Sequence, residues 1–382
     1  MKRRQVWHNV TDRKPTKKDA FNKMLPFIKE TQTVWERLAN AGKPIVLYGM
    51  GLGAEKILAV FEEFGITARE IFASDEFVRG QSFHGWKVKT LAEIEALYSD
   101  FIIVVAFAFW QDDLIARMEQ LSKRYELYAP HVPVIGREIV DFAYLNRYES
   151  AIAESYDLMA DEQSREVYAA VWNYRLSGNI SYIRNVTTPK EQAYTLIRPV
   201  KEDTYLDLGA YDGDTVQEVT QQAGGPLNAI TALEPDPKNF RKLTAFAETY
   251  TGDLTCINAG VYDRDTVIPF ANKAGRHSAV SRDGAGIPVP MRSIDSVACN
   301  QPVSIIKMDV EGEERLAISG GKTVLRRDCP RLIVSAYHRN EDLFLLPQQI
   351  HQINPAYRIY LRQHPYIPAW DNTIYAVKEG FL

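Results

Sequence analysis

A chain of 382 residues exceeds what one hydrophobic core usually serves, so two domains are expected. With 46% hydrophobic and 25% charged residues, the composition is that of an ordinary globular protein and excludes disorder as the default. A net charge of −4 gives no general attraction to nucleic acid, and no nucleic-acid partner is expected.

The first 18 residues, MKRRQVWHNVTDRKPTKK, carry Lys2, Arg3, Arg4, Arg13, Lys14, Lys17 and Lys18. No apolar stretch follows them, so they read as a solvated basic arm and not as a secretory signal. An amphipathic helix is expected over residues 19–41, closing a first segment at 1–42. Next, KPIVLYGMGLGAEKILAVFEEFG reads as strand, glycine turn and helix, and AREIFASDE as a short strand ending in acid. FHGWKV, a helical TLAEIEALYS and the apolar DFIIVVAFAF continue the alternation of a parallel α/β sheet over residues 43–140. The apolar run at 101–110 is about half of the ~20 residues that a membrane span needs. Cys256, Cys299 and Cys329 form no CxxC pair, and a cytoplasmic protein with reduced thiols is expected.

Residues 141–202 change to helical periodicity, as in SYDLMADEQSREVYAAVWNYRL with Asp161 as a helix cap, and read as a connector. Strand alternation restarts over 203–382 with TYLDLGA, AITALEP, LTCINAGVY, VSIIKMDV and RLIVSAYH, giving a second doubly wound, Rossmann-like α/β domain. After LLPQQIHQI, the strands YRIYLR and NTIYAVK are joined by a link too short for a helical crossover, so they should be antiparallel.

In DLGAYDGDT, Asp207 ends a strand, and Gly209 and Gly213 let the backbone turn tightly against a ligand. Glu234, in LEPDP, follows at about the 20-residue distance at which an acid meets ribose hydroxyls. Together they indicate an adenosine-containing cofactor. Asp207, Asp212 and Asp214 would repel a pyrophosphate but suit a sulfonium and an ammonium group, which favours S-adenosylmethionine over NAD. In IIKMDVEGEE, Lys307, Asp309 and Glu311 alternate with apolar residues and should share one face. Charges in a covered parallel strand cost free energy unless they open on a cleft or brace one another, Lys307 with Asp309 or Glu311. Glu313 and Glu314 read as favouring the next helix's N-terminus.

These three motifs, DLGAYDGDT, LEPDPKNF and IKMDVEGEE, in their order and spacing, resemble those of the FkbM family of methyltransferases over roughly residues 191–378. The resemblance implies a class I methyltransferase fold with strand order 3-2-1-4-5-7-6 and an antiparallel seventh strand. It implies S-adenosylmethionine as methyl donor and O-methylation, often of sugar hydroxyls. By position it assigns cofactor binding to Asp207, Gly209, Ala210, Gly213, Glu234 and Pro235, and places Asn258, Gly260 and Val261 beside the adenine.

A sugar hydroxyl is a poor nucleophile, so a base helps. Asp309, Glu311 and His338 are the candidates, with Lys307 beside them. Asp309, Glu311 and His338 also form an oxygen and nitrogen ligand set able to hold a divalent metal against the acceptor. Tyr366 and Trp370 offer faces for stacking on a sugar, and His277 a hydrogen-bond donor. The acceptor is expected to be a small molecule or glycan, nucleotide-linked in one version, and the chain to form a homo-oligomer in one version.

Gly49, Gly51 and Gly53, with Asp75 about 20 residues later, approximate a dinucleotide pattern. The first domain is therefore read either as a nucleotide or nucleotide-sugar site or as a scaffold without ligand. Two competing functions follow: an NAD-dependent oxidoreductase working at this turn, and a non-catalytic nucleotide-sugar binding or scaffold protein.

Overall fold

A computed structural model of the chain describes residues 25–271, 279–280 and 287–382. The basic arm, residues 19–24 and His277 lie outside them. Residues 25–33 hold turns, not the expected helix, which runs only over Val34–Ala39. The reason is a capping box: the Thr33 hydroxyl accepts from Glu36 N while Glu36 reaches back to the Thr33 amide, fixing the start there.

The first sheet comprises β1 (Ile45–Tyr48), β2 (Ala68–Phe72), β3 (Ile102–Val105) and β4 (Glu126–Tyr128), all parallel, in the order β2-β1-β3-β4. Its inner strands β1 and β3 are buried at every position, as a sheet covered on both faces requires. FHGWKV does not join this sheet. It forms a separate hairpin, Ser82–Phe83 with Trp86–Lys87, turned by His84 and Gly85, both at positive φ.

In the connector, Asp161 caps the helix Glu162–Ser177 by accepting from Ser164 N at 2.8 Å, and Gly178 ends it in the left-handed conformation. The same Asp161 pairs with the nearly buried Arg362 at 2.7 Å, which ties the helix to the second sheet.

That second sheet has seven strands: β5 (Thr204–Leu208), β6 (Ala229–Leu233), β7 (Leu254–Ile257), β8 (Ile305–Met308), β9 (Arg331–Ser335), β10 (Tyr357–Gln363) and β11 (Asn372–Lys378). Their order is β10-β11-β9-β8-β5-β6-β7. Counted from β5 this is 3-2-1-4-5-7-6, and β11 alone runs antiparallel to its neighbours. LTCINAGVY breaks after Ile257. Gly260–Val261 instead pairs with Ile287–Arg292 in a smaller sheet, where a Cβ on Gly260 would stand 2.7 Å from Met291 Cε.

The two halves touch beside the carboxyl edge of the second sheet. Phe109 and Ile367 exchange backbone hydrogen bonds of 2.8 and 2.9 Å, and Trp110 stacks on Tyr366 with ring centroids 5.4 Å apart. Ile135 N donates to His338 O at 2.9 Å.

Candidate active site

β5 and β8 are neighbours, and their pairing sets Lys307 directly against Asp207 on the same face. Lys307 Nζ donates to Gly209 O at 2.7 Å and lies 3.2 Å from Asp207 Oδ1. Asp207 is fully buried. Burial pushes its carboxyl up, against the pull of Lys307. Burial works against the ammonium of Lys307, but Asp207, Asp309 and Asp214 outweigh it and hold it above its ordinary value. The alternative of a brace between Lys307 and Asp309 or Glu311 gives way to an ion pair of Lys307 with Asp207 beneath the glycine turn.

Gly209 adopts φ +81, and any Cβ there would collide with the Asp309 carbonyl, so the turn requires glycine twice over. Gly213, at φ +94, opens the helix Asp214–Gln222 under the ring of Phe246. Between them Tyr211 is held at φ 49, and its amide donates to Glu234 Oε2 at 2.9 Å. The other oxygen of Glu234 accepts from Asp236 N at 2.9 Å. Burial pushes this carboxyl up to about 7 against those two amides.

A cleft of about 370 Å³ opens above the turn. One half is walled by Tyr211, Glu234, Pro235, Ala259, Gly260 and Val261. Asp207, Ala210, Gly213 and Asn258 are not in its wall. The first three lie buried behind the turn, and Asn258 braces the wall by donating to Glu234 O at 2.8 Å.

The other half holds Asp309, Glu311, His338, Tyr366 and Trp370, as the sequence suggests, together with Lys190, Glu218, His364, Asp371 and Tyr375, which sequence reasoning missed. Val134, from the segment leaving the first sheet, also enters the wall. Strand β8 ends at Met308, so Asp309 and Glu311 lie on the loop beyond it and not on a strand face with Lys307. Asp309 Oδ1 accepts from the Tyr337 hydroxyl at 3.1 Å and lies 3.5 Å from His338 Nε2, with Glu311 Oε2 at 3.6 Å from the same nitrogen. On the opposite edge of the ring, His338 Nδ1 meets Glu314 Oε1 at 2.9 Å.

Glu314 stands in the first turn of the helix Glu314–Ser319, as the sequence reading expects, but it is also fully buried and accepts from Val310 N at 3.0 Å. Burial pulls His338 down, but Glu314, Asp309 and Glu311 outweigh it and push it up to about 10. Asp309, Glu314 and His338 each offer a ligand atom within 4.8 Å of the others, so a cation set exists with Glu314 in the place expected for Glu311.

His364 is buried, with Nδ1 donating to Thr188 O and Nε2 accepting from the Tyr375 hydroxyl, both at 2.8 Å; the carbonyl partner fixes this tautomer. Burial lowers its basicity, so it stays neutral. In the first domain, Gly49 has the ring of Phe107 only 2.6 Å from where its Cβ would lie, and Gly53 packs on the Ala106 carbonyl. Gly51 begins the helix Leu52–Phe64, and Asp75 is exposed beyond β2.

Residues 207–367 match the family described as methyltransferase FkbM domain, and that span contains the turn, Glu234 and the β8 loop. Over these residues the chain is similar to the FkbM methyltransferases. A solved FkbM methyltransferase from Methylobacillus flagellatus shares its fold at a TM-score of 0.72 and 22% identity, over 94% of this chain and 98% of that one. Aeropyrum pernix fibrillarin, solved with bound S-adenosyl-L-methionine, reaches a TM-score of 0.32 at 15% identity over 50% of this chain and 74% of its own. A precorrin-6y C5,15-methyltransferase from Geobacter metallireducens reaches 0.33 at 12% over 49% and 86%, and neither of these two informs the site. No curated protein matches the chain. The match to a methyltransferase family over residues 207–367 implies S-adenosylmethionine as the methyl donor. Among the described residues no helix is long and apolar enough to cross a membrane.

Proposed function

We propose that the FkbM domain transfers a methyl group from S-adenosylmethionine to a hydroxyl of a neutral, polyhydroxylated acceptor, a small molecule or a glycan. The observation that carries this reading is the pairing of the Gly209 turn with Glu234, whose carboxylate faces the cleft from behind two backbone amides. In this position it is suited to the two ribose hydroxyls, while Gly260 and Val261 supply an apolar wall for adenine. The remaining half of the cleft takes the acceptor. Asp214, Glu218, Asp309, Glu311, Glu313 and Asp371 outnumber Lys190 and Lys307 there, which disfavours a phosphate-bearing acceptor and suits uncharged hydroxyls.

His338 acts as a fixed positive charge and not as a base, because each of its ring nitrogens already faces carboxylates. Glu314 Oε1 accepts from two backbone amides and faces the imidazole, which braces the cluster, while its Oε2 is buried without a hydrogen-bond partner among the described residues. The first domain, 43–140, serves as a scaffold that contributes Val134 and the Trp110–Tyr366 stack to the acceptor side. The ring of Phe107 covers Gly49, which argues against hydride chemistry at that turn.

Calorimetric titration with S-adenosylhomocysteine tests the reading. Micromolar binding, about −8 kcal/mol, lost in Glu234→Ala, is the expected result. Absence of binding by the natural chain, after removal of any copurified ligand, overturns it. Transfer of labelled methyl groups to neutral sugars but not to their phosphates then tests the acceptor class.

A further inference from the structure

Four carboxylates on the acceptor side can be sorted by what already holds them. Asp309 takes the Tyr337 hydroxyl at 3.1 Å and faces His338. Glu311 lies 3.6 Å from the same imidazole, and Glu313 accepts from Arg339 at 3.2 Å. Asp371 differs. It lines the cleft, yet among the described residues none donates a hydrogen bond to its carboxylate and none pairs with it within 4.0 Å.

Its backbone, by contrast, is fixed on both sides. His364 N donates to Asp371 O at 3.0 Å, and the next residue, Asn372, accepts from Ala336 N at 2.8 Å where β11 joins β9. A short side chain is thus mounted on the end of a central strand, next to Tyr337 and His338, on the carboxyl edge where the second sheet presents its site. Lys190 lines the same space, and its charge favours the ionised form of Asp371. Burial in the cleft pushes the Asp371 carboxyl up, and the Lys190 ammonium pulls it back only in part, so it remains above an ordinary aspartate. That is the direction a proton acceptor working near neutrality needs.

We propose that Asp371 is the catalytic base: its free carboxylate accepts the hydroxyl proton of the acceptor as the methyl group is transferred. This deepens the methyltransferase reading above and rests on it. In the step, the acceptor oxygen forms a bond to the methyl carbon while the carbon–sulfur bond breaks. The bonding pair stays on sulfur, giving neutral S-adenosylhomocysteine, and the hydroxyl proton passes to Asp371, which ends as a neutral acid. Charge balances, since one sulfonium and one carboxylate are consumed together. Glu218 is the nearest competitor because it also lines the cleft with no hydrogen-bond or ion-pair partner among the described residues, but it is a longer side chain carried on the helix Asp214–Gln222.

Two ligands of known chemistry test this without the acceptor. Sinefungin carries an ammonium-bearing carbon in place of the sulfonium and its methyl, so its charge projects to where the attacking hydroxyl would lie. S-adenosylhomocysteine has neither. The natural chain should prefer sinefungin, and Asp371→Asn should reduce that preference about tenfold while S-adenosylhomocysteine affinity stays constant. Constant affinity also shows that the variant is folded, and Asp371→Ser repeats the measurement if the asparagine form is unstable. An unchanged preference in both variants overturns the proposal, as does loss of the preference in Glu218→Gln or Asp309→Asn but not in the Asp371 variants. Failure of both ligands to bind the natural chain is a different result: it removes the cofactor reading itself, and the assignment of Asp371 with it.

Discussion

The two glycine turns of this chain occupy equivalent places in two parallel sheets and differ in one pair of side chains. Two residues before the first glycine of each turn, Leu47 pairs in register with Val104, and Asp207 pairs in register with Lys307. All four side chains are buried or nearly so. In both sheets the glycines meet chain from the neighbouring strand's exit: Gly53 meets the Ala106 carbonyl and Gly209 the Asp309 carbonyl. Glycine at a strand-to-helix turn is thus demanded by packing in either case and does not by itself mark a ligand. What separates the turns is the use of buried charge. The first turn is filled by aromatic rings, with Phe107 over Gly49 and 4.9 Å from Tyr48, whereas the second opens on the cleft.

The largest expected effect tests the charged pair. Lys307→Met leaves Asp207 buried beside no cation and should cost about 3–5 kcal/mol in denaturant unfolding. Adding Asp207→Leu, which reproduces the Leu47–Val104 arrangement, should restore most of that stability while cofactor binding stays lost. If the double variant still binds S-adenosylhomocysteine as the natural chain does, the ion pair is a structural element and not part of the site. Next come the glycines. Gly209→Ala and Gly53→Ala each force a Cβ onto a carbonyl, and each should lose about 1–3 kcal/mol of stability. Only the first should also reduce S-adenosylhomocysteine affinity of the folded fraction. Equal losses of affinity would mean that the two turns serve one site.

The strands were legible as apolar runs and the antiparallel pairing of β10 with β11 from the short QHPYIPAWD link, while the order of the seven strands followed only from the resemblance carried by the three motifs. Lys307 and Glu234 stood out because charged residues at strand ends are costly unless used. The rest was hidden for physical reasons. Nothing in local sequence distinguishes the fully buried Glu314 from Glu311 and Glu313 beside it, since its pairing depends on His338 arriving from another strand. Asp371 and Lys190 lie 181 positions apart in sequence and meet only through the folded sheet. The role of Val134 required knowing that Lys56, on the first glycine-turn helix, donates to Pro133 O at 2.7 Å and Val134 O at 2.9 Å and so holds that segment against the cleft. LTCINAGVY looked continuous because a strand that changes sheets keeps the same alternation.

A smaller effect concerns Glu234, which is buried, whereas Asp75, in the matching place after β2, is exposed. Ribose hydroxyls donate to a carboxylate, so the ionised form binds the cofactor better. With this carboxyl pushed up to about 7 by burial, affinity should rise as pH increases through 7 and level off above it. S-adenosylhomocysteine should bind about tenfold more weakly at pH 6 than at pH 8, measured by titration calorimetry. Glu234→Gln should bind weakly and show no such slope. A slope that persists in the variant would assign the pH dependence to another group.

The smallest effect tests whether the first turn is filled or merely covered. Phe107→Leu removes ring contacts to Tyr48 at 4.9 Å and Phe109 at 5.6 Å and should cost about 1 kcal/mol. It also uncovers Gly49 and the start of the helix Leu52–Phe64, whose free amides are the groups a phosphate would use. If the ring is structural filling, neither the natural chain nor the variant should bind an adenine nucleotide at millimolar concentration. Binding that emerges only in Phe107→Leu would make the ring a cover over a latent nucleotide site. The resemblance between the turns would then extend from packing to ligand chemistry, and Lys56 would become the connection by which a nucleotide in one domain could shift the cleft wall in the other.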